Sequence, residues 1–95
     1  MRTKNKQYCI DKEKVVWRTV DGEAVILNLD DGIYYTLNEV GSRIWEHLAE
    51  GKGIEQIADK IAVQFETQSQ RVEKDVLGLI AQFKEARLVE VKSAP

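Results

Sequence analysis

The sequence predicts a single α+β domain in which a three-stranded antiparallel sheet is followed by three helices. Two observations lead to this fold class. Residues 15–37 hold three runs of β-branched and aromatic residues separated by Asp-Gly pairs, which is typical of strands joined by hairpins. From residue 38 onward, the apolar residues instead recur at helical spacing. A chain of 95 residues with one proline favours one compact domain.

The predicted strands are VVWRTV, EAVILNL and GIYYTL. Asp21–Gly22 separates the first two and Asp30–Gly32 the last two. Because glycine adopts positive φ without steric cost, both pairs predict hairpins. Side chains alternate between the two faces of a strand. In the middle strand, one face carries Val25, Leu27 and Leu29. In the third strand, one face carries Ile33, Tyr35 and Leu37, and the other carries Tyr34 and Thr36.

Three amphipathic helices are predicted after the sheet. Asn38 is a favourable N-cap for the first helix, and Gly51 ends it. Thr67 or Ser69 can cap the third helix, and Thr67 with Gln70 has the spacing of a capping box. The apolar residues of the first helix are Val40, Ile44, Trp45 and Leu48. Those of the second are Ile54, Ile57, Ala58, Ile61 and Phe65, and those of the third are Val72, Val76, Leu79, Ile80 and Phe83.

The sequence divides into a central domain and two short ends. Residues 1–13 are polar, lack periodicity and carry several basic side chains, so we expect a flexible N-terminal segment. Residues 14–91 form the predicted domain, and residues 92–95 form a tail. Within the domain, RLVEV at residues 87–91 is compatible with either a short strand or an extended end.

Charge and hydropathy disfavour two classes of partner. The net charge is −2 and the sequence pI is near 5.4. Because phosphate neutralisation dominates nucleic-acid affinity, we expect no nucleic-acid partner. No apolar run approaches the roughly 18 residues that span a bilayer, and the N-terminus lacks the apolar region of a secretory signal. We therefore expect no membrane partner and a cytoplasmic location.

No constellation of residues indicates catalysis or a metal site. Cys9 and His47 are the only cysteine and histidine, which is too few for a structural zinc site. They fall in different predicted segments, so nothing indicates a nucleophile with its base. The carboxylates have the spacing of solvated surfaces, and EGKGI at residues 50–54 lacks the spacing of a phosphate loop. We expect a protein that is not an enzyme, without catalytic residues, metal or cofactor.

Two binding functions and one structural role remain open from the residues alone; in the structural role, an oligomerisation subunit would pair its edge strand with itself. Helices beside a small sheet also describe a winged helix-turn-helix, whose third helix would enter a DNA groove. However, residues 53–88 contain five basic and six acidic residues, a net charge of −1. A winged-helix DNA-binding regulator is therefore the alternative. The favoured function is peptide binding, because GIYYTL carries no lysine or proline that would blunt an edge strand, and an extended peptide could add to it.

Several motifs within residues 14–91, taken in order, resemble those of the PqqD family, which is named for the synthesis of pyrroloquinoline quinone (PQQ). They are the Asp-Gly turn, YYTLN, IW, the IA of the second helix and the V…DV…LI…F stripe of the third. The resemblance implies a winged helix-turn-helix-like fold without enzymatic activity. It also implies that the leader segment of a ribosomally made precursor peptide binds as an added strand, in a cleft between the third strand and the third helix.

The resemblance assigns residues to both walls of this cleft. Backbone bonds and one wall would come from Ile33, Tyr34, Tyr35, Thr36 and Leu37. The opposing wall would consist of Arg71, Val72, Asp75, Val76 and Leu79. Arg71 and Asp75 stand one helical turn apart, so they could pair with each other instead of with the leader. Tyr34 could contact the leader or a partner enzyme, or simply cover the outer face of the sheet.

The resemblance also implies a partner enzyme that acts on the bound precursor. In a PQQ-type pathway this would be a radical enzyme, and in a lasso-peptide pathway it would be a leader peptidase with a cyclase. The length of the chain matches a free-standing member of the family. A lasso-peptide or similar modified-peptide pathway is favoured over PQQ synthesis.

Overall fold

The computed structural model describes residues 7–92, so residues 1–6 of the predicted flexible segment and residues 93–95 of the predicted tail lie outside it. The element order is β1 (Gln7–Cys9), β2 (Val15–Val20), β3 (Glu23–Asn28), β4 (Ile33–Thr36), α1 (Glu39–Ala49), α2 (Ile54–Gln64), α3 (Ser69–Glu85) and β5 (Glu90–Lys92). This confirms the predicted α+β, winged helix-turn-helix-like arrangement. Within the described range, no helix has the length and apolarity that crossing a membrane requires.

The main sheet is an antiparallel meander in the order β2-β3-β4. Asp21 and Gly22 form the two-residue loop between β2 and β3, and both have positive φ, at 53° and 81°. Two positive φ values characterise the type I′ turn, whose twist matches that of paired strands. The register places Trp17 opposite Ile26 and Ile26 opposite Tyr35. The predicted hairpins are thus confirmed.

One face of the sheet is buried against the helices. In β3 the buried residues are Ala24, Ile26 and Asn28, so Val25 and Leu27 lie on the opposite, outer face. Trp45 of α1 is fully buried and makes edge-to-face contacts with two other rings. Its ring centroid lies 5.4 Å from that of Trp17 and 5.0 Å from that of Phe83. This aromatic trio joins β2, α1 and α3 at the centre of the core.

All three helices end in the same way. After α2, Glu66 adopts a left-handed φ of 53°, and the backbone N–H of Thr67 donates to the carbonyl of Ala62 at 2.9 Å. This is the Schellman motif, and α1 and α3 end equivalently around Gly51 and Arg87. Because Thr67 belongs to the C-terminal capping motif of α2, it does not cap α3, and the predicted capping box is wrong.

The N-cap of α3 is Gln68, whose side chain makes no capping bond. At the start of α1, the predicted N-cap is confirmed. The Asn38 side-chain oxygen accepts a hydrogen bond from the N–H of Gly41 at 2.8 Å. That bond fixes the first turn of α1 directly after β4.

A second, two-stranded sheet pairs β1 with β5. Residues 7–9, within the segment expected to be flexible, therefore form a strand that pairs antiparallel with residues 90–92. The side chains of Tyr8 and Ile10 pack partly against the core. Leu88 and Val89, just before β5, are buried in it. This contact explains the pairing, because it buries apolar side chains from both ends of the described chain.

Candidate functional site

A cleft runs between β4 and α3 and consists of two adjoining cavities of ≈ 520 and ≈ 190 Å³. Both cavities share Thr36, Leu37, Leu79 and Gln82. The larger cavity extends to the start of α1 and is also lined by Asn38, Val40, Gly41, Ile44, Lys74, Asp75 and Gly78. The smaller extends to the end of α3 and is also lined by Tyr35, Phe83, Ala86 and Leu88. This β4–α3 cleft combines an apolar floor with a polar rim.

The β4 strand is an edge of the sheet, since β3 is its only strand partner among the described residues. The N–H of Leu37 donates to the carbonyl of Ala24 at 2.9 Å, across the β3–β4 ladder. Residues that bond to the partner strand alternate with residues that do not. Tyr34 and Thr36 therefore direct their backbone N–H and C=O groups towards the open edge. An extended peptide in the cleft would find these groups at the right spacing.

Ser42 of α1 fixes the end of β4. Its buried hydroxyl accepts a hydrogen bond from the N–H of Ala24 at 2.6 Å and donates to the carbonyl of Leu37 at 3.1 Å. The hydroxyl thus stands between two backbone groups that would otherwise bond directly to each other. It couples the end of the sheet to the first turns of α1, so one wall of the cleft is held in place.

Asn28 fixes the other wall. This buried side chain donates from Nδ2 to the carbonyl of Ala86 at 3.1 Å, and its Oδ1 accepts from the N–H of Asp30 at 2.9 Å. Ala86 is the C-cap of α3, so the bond ties the end of that helix to β3. Hydrogen bonds from Ser42 and Asn28, which do not themselves line the cleft, thus hold both of its walls in position.

The structure brings together part of the predicted site. Five predicted residues line the cleft: Tyr35, Thr36, Leu37, Asp75 and Leu79. Two others, Val72 and Val76, point into the core, because they lie on the buried stripe of α3 with Ile80 and Phe83. Three lie outside the lining: Ile33, Tyr34 and Arg71 are exposed. Arg71 and Asp75, both within the described range, do not form the ion pair that was the alternative to pairing with the leader.

The sequence reasoning missed the α3 residues Lys74, Gly78 and Gln82. They flank Asp75 and Leu79 on a face of α3 that runs beside the buried stripe of Val72, Val76 and Ile80. The signal that could have found them is the spacing of positions 75, 78 and 82, which share one helix face. A glycine within that stripe marks a place where the helix presents backbone instead of a side chain.

The outer face of the main sheet carries exposed apolar side chains. Tyr34 is 67% exposed, Val16 43% and Val20 49%. Val25 and Leu27 lie between them, half-buried. A shallow cavity of ≈ 450 Å³ lies on this face, and four of these residues line it together with Trp17 and Arg18: Val16, Val25, Leu27 and Tyr34. This outer face lies on the opposite side of the sheet from the helices.

Two titratable groups near the end of α1 have pKa values below their ordinary values. His47, in the last turn of α1, has a pKa below its ordinary value because burial and the nearby Lys52 ammonium disfavour its protonated form. Lys52 also pairs with Glu50, and this hydrogen bond lowers the pKa of the Glu50 carboxyl. Cys9 is exposed on β1. Within residues 7–92, no three His, Cys, Asp or Glu side chains cluster to hold a metal ion.

Comparisons with known proteins agree with this architecture. The family described as Coenzyme PQQ synthesis protein D (PqqD) matches residues 23–89. The structure "TbiB1 in Complex with the TbiA(beta) Leader Peptide" is 35% identical, with a TM-score of 0.81 over 90% of this chain and 98% of that chain. None of the curated proteins matches the chain significantly.

A second solved structure, "Lasso peptide synthetase B1 complexed with the leader peptide", is 20% identical. Its TM-score is 0.80 over 88% of this chain and 98% of that chain, a likeness that shows the fold. The family match spans well over half of the chain, and the 35% identity to TbiB1 extends over most of it. The chain belongs to the PqqD family.

Proposed function

We propose that this protein is a non-catalytic peptide-binding protein that captures the leader of a ribosomally made precursor. The leader adds to β4 as a fourth strand and fills the β4–α3 cleft. The observation that carries the proposal is the open edge of β4 directly beside a preformed cleft. The 35% identical TbiB1 was solved with a leader peptide, which supports the same role here.

The two parts of the site would contribute differently to binding. Backbone hydrogen bonds to Tyr34 and Thr36 would fix the register of the leader, each contributing about 0.5–1.5 kcal/mol net. Burial of leader side chains over Leu37 and Leu79 would add roughly 25 cal/mol per Å² of apolar surface removed from water. Strand addition supplies affinity with little sequence preference, so the choice of leader would depend on the side chains that enter the cleft.

The proposal is tested by NMR titration of the ¹⁵N-labelled protein with a leader peptide. A suitable ligand is the TbiA(beta) leader, and a second is the leader of a precursor found to be encoded near this chain's gene. We expect the largest amide shifts at Thr36, Leu37, Gly78 and Leu79, because these residues line the cleft. Shifts confined to the surface of α2, or no shifts with a leader that is processed in the same pathway, would refute the proposal.

The bound precursor would then be presented to a modifying enzyme. We favour a lasso-peptide or similar pathway, with a leader peptidase and cyclase, over PQQ synthesis with its radical enzyme. The proposed compartment is the cytoplasm, where the precursor is made. The outer face of the main sheet is the surface we assign to this enzyme. It remains exposed when the cleft is filled, and alternate side chains of an added strand would extend it.

Replacing Tyr34 with serine tests this delivery step. The Tyr34 ring points to the outer face, away from the cleft, so we expect leader affinity to fall less than about fivefold, the loss of one cross-strand side-chain pair. Loss of an exposed aromatic anchor should slow enzymatic processing of the precursor about tenfold, in the range seen for interface aromatics. The control is Val63→Ser on α2, because Val63 is an apolar side chain away from the main sheet that is 80% exposed. Equal processing rates with both variants would remove the outer face as the enzyme-binding surface.

A further inference from the structure

Gly78 lies in the middle of α3, where the folded chain gives no reason for a glycine. A Cβ atom placed on Gly78 would meet nothing within 4 Å, and the residue does not have a positive φ. Glycine is among the least favourable residues inside a helix, because it loses the most backbone freedom on folding. Helix α3 therefore carries a destabilising residue that no contact within residues 7–92 explains.

Gly41 provides a contrast in the same cavity. A Cβ atom there would lie 3.3 Å from Asn38 Oδ1, 3.4 Å from Leu37 Cβ and 3.6 Å from Leu79 Cδ2. Close packing of the first turn of α1 thus accounts for Gly41. No such packing accounts for Gly78, although both residues line the larger cavity of the cleft.

The surroundings of Gly78 indicate what could occupy the space above it. Leu37, Ile44 and Leu79 give the cavity an apolar floor, and Lys74 and Gln82 stand at its rim. The cavity holds ≈ 520 Å³, which is ample for one large side chain. Glycine is the residue that lets a ligand approach a backbone most closely.

We propose that Gly78 determines which leaders the protein accepts, by leaving room for one large side chain of the leader against the backbone of α3. The inference rests on the proposed function and adds to it the selectivity of the protein for particular leaders. The apolar body of that side chain packs on Leu37 and Leu79, and the missing Cβ sets the depth to which it enters. A side chain at position 78 fills this space and excludes the matching leaders.

The first test compares Gly78→Ala and Gly78→Leu with the wild-type protein, using the fluorescently labelled TbiA(beta) leader and the leader of a precursor found to be encoded near this chain's gene. Gly78→Ala raises the folded-to-unfolded ratio about fivefold, because alanine favours the helix. Gly78→Leu weakens leader binding at least tenfold, and Gly78→Ala weakens it less. The variants are thus at least as stable as the wild-type protein and bind more weakly.

Ala81 supplies the matched controls, because it is exposed on the same helix and does not line the cleft. Ala81→Leu places the same leucine side chain outside the cleft and leaves leader affinity within about twofold of the wild-type value, the change expected for a surface position without contacts. Ala81→Gly lowers stability without weakening binding. If Gly78→Leu binds leader as well as Ala81→Leu does, the inference is wrong and the proposed function stands.

The second test locates the partner of Gly78 on the leader. Each leader residue is changed to alanine in turn, and the affinity is measured for wild-type protein and for Gly78→Leu. At one position the alanine weakens binding to the wild-type protein but restores binding to Gly78→Leu, which is the coupling expected for groups in direct contact. If no position couples with residue 78, the assigned pocket is wrong. If the wild-type protein binds neither leader, the proposed function itself fails, and the inference falls with it.

Discussion

Replacing Thr36 with proline is expected to abolish leader capture while leaving the protein folded. The N–H of Thr36 points to the open edge of β4, whereas that of Leu37 is used within the sheet. Proline removes the N–H and puts its ring where the added strand would lie, yet edge strands tolerate proline on their open side. We expect affinity to fall at least tenfold, since a loss of about 1.4 kcal/mol already has that effect. Isothermal titration calorimetry with the leader peptide measures this change.

Thr36→Val is the control for that experiment. Valine keeps the N–H and the β-branched shape and replaces only the hydroxyl with a methyl group, so the variant should bind the leader nearly as well as the wild-type protein. Circular dichroism and the ¹⁵N spectrum of Thr36→Pro must remain those of a folded protein. A folded Thr36→Pro variant that binds the leader with wild-type affinity would show that the leader does not add to β4.

Replacing Trp45 with alanine is expected to bring the protein close to complete unfolding. Trp45 is fully buried and joins β2 to α3 through its edge-to-face contacts with Trp17 and Phe83. Truncation of a buried Trp costs about 3–5 kcal/mol, out of the roughly 5–15 kcal/mol that stabilises a typical domain. Urea unfolding followed by far-ultraviolet circular dichroism measures the loss independently of tryptophan fluorescence.

Trp45→Phe separates the contribution of the ring from that of the indole N–H. The N–H is buried, and among the described residues it has no hydrogen-bond partner. Its removal therefore forfeits no bond, and phenylalanine keeps much of the aromatic contact. We expect this variant to lose less than half the free energy that Trp45→Ala loses. A loss below about 1 kcal/mol for Trp45→Ala would show that the trio does not hold the core together, because cavity formation at a packed site costs more.

The sheet and the helices could be predicted from local signals. Asp21–Gly22 takes the two positive φ values that its dipeptide favours, and Asn38 caps α1 through its own side chain. The β1–β5 pair could not be predicted, since it consists of two three-residue strands at opposite ends of the described chain. Strands so short carry almost no periodicity, and only tertiary contacts stabilise their pairing.

The cleft could be predicted only in part, for a geometric reason. On α3, the stripe of residues that faces the core runs beside the stripe that faces the cleft. Residues one position apart in sequence can therefore belong to different stripes. Val76 is apolar and was assigned to the cleft, yet it is fully buried in the core. Gly78 and Gln82 lack the hydrophobic signal that periodicity detects, although they line the cleft. Polarity patterns locate what is buried in the folded chain, not what a ligand will cover.

Leader binding at the open edge of β4 has a thermodynamic consequence. This edge strand has four residues, and only β3 pairs with it in the described chain. A ligand that binds only the folded state raises its stability by RT ln(1 + [L]/Kd), or about 2.7 kcal/mol at a hundredfold excess over Kd. For a domain of this size, that corresponds to a rise of about 10 °C or more in melting temperature. Thermal denaturation alone can therefore rank unlabelled candidate leaders, so the cognate precursor can be sought before any partner enzyme is known.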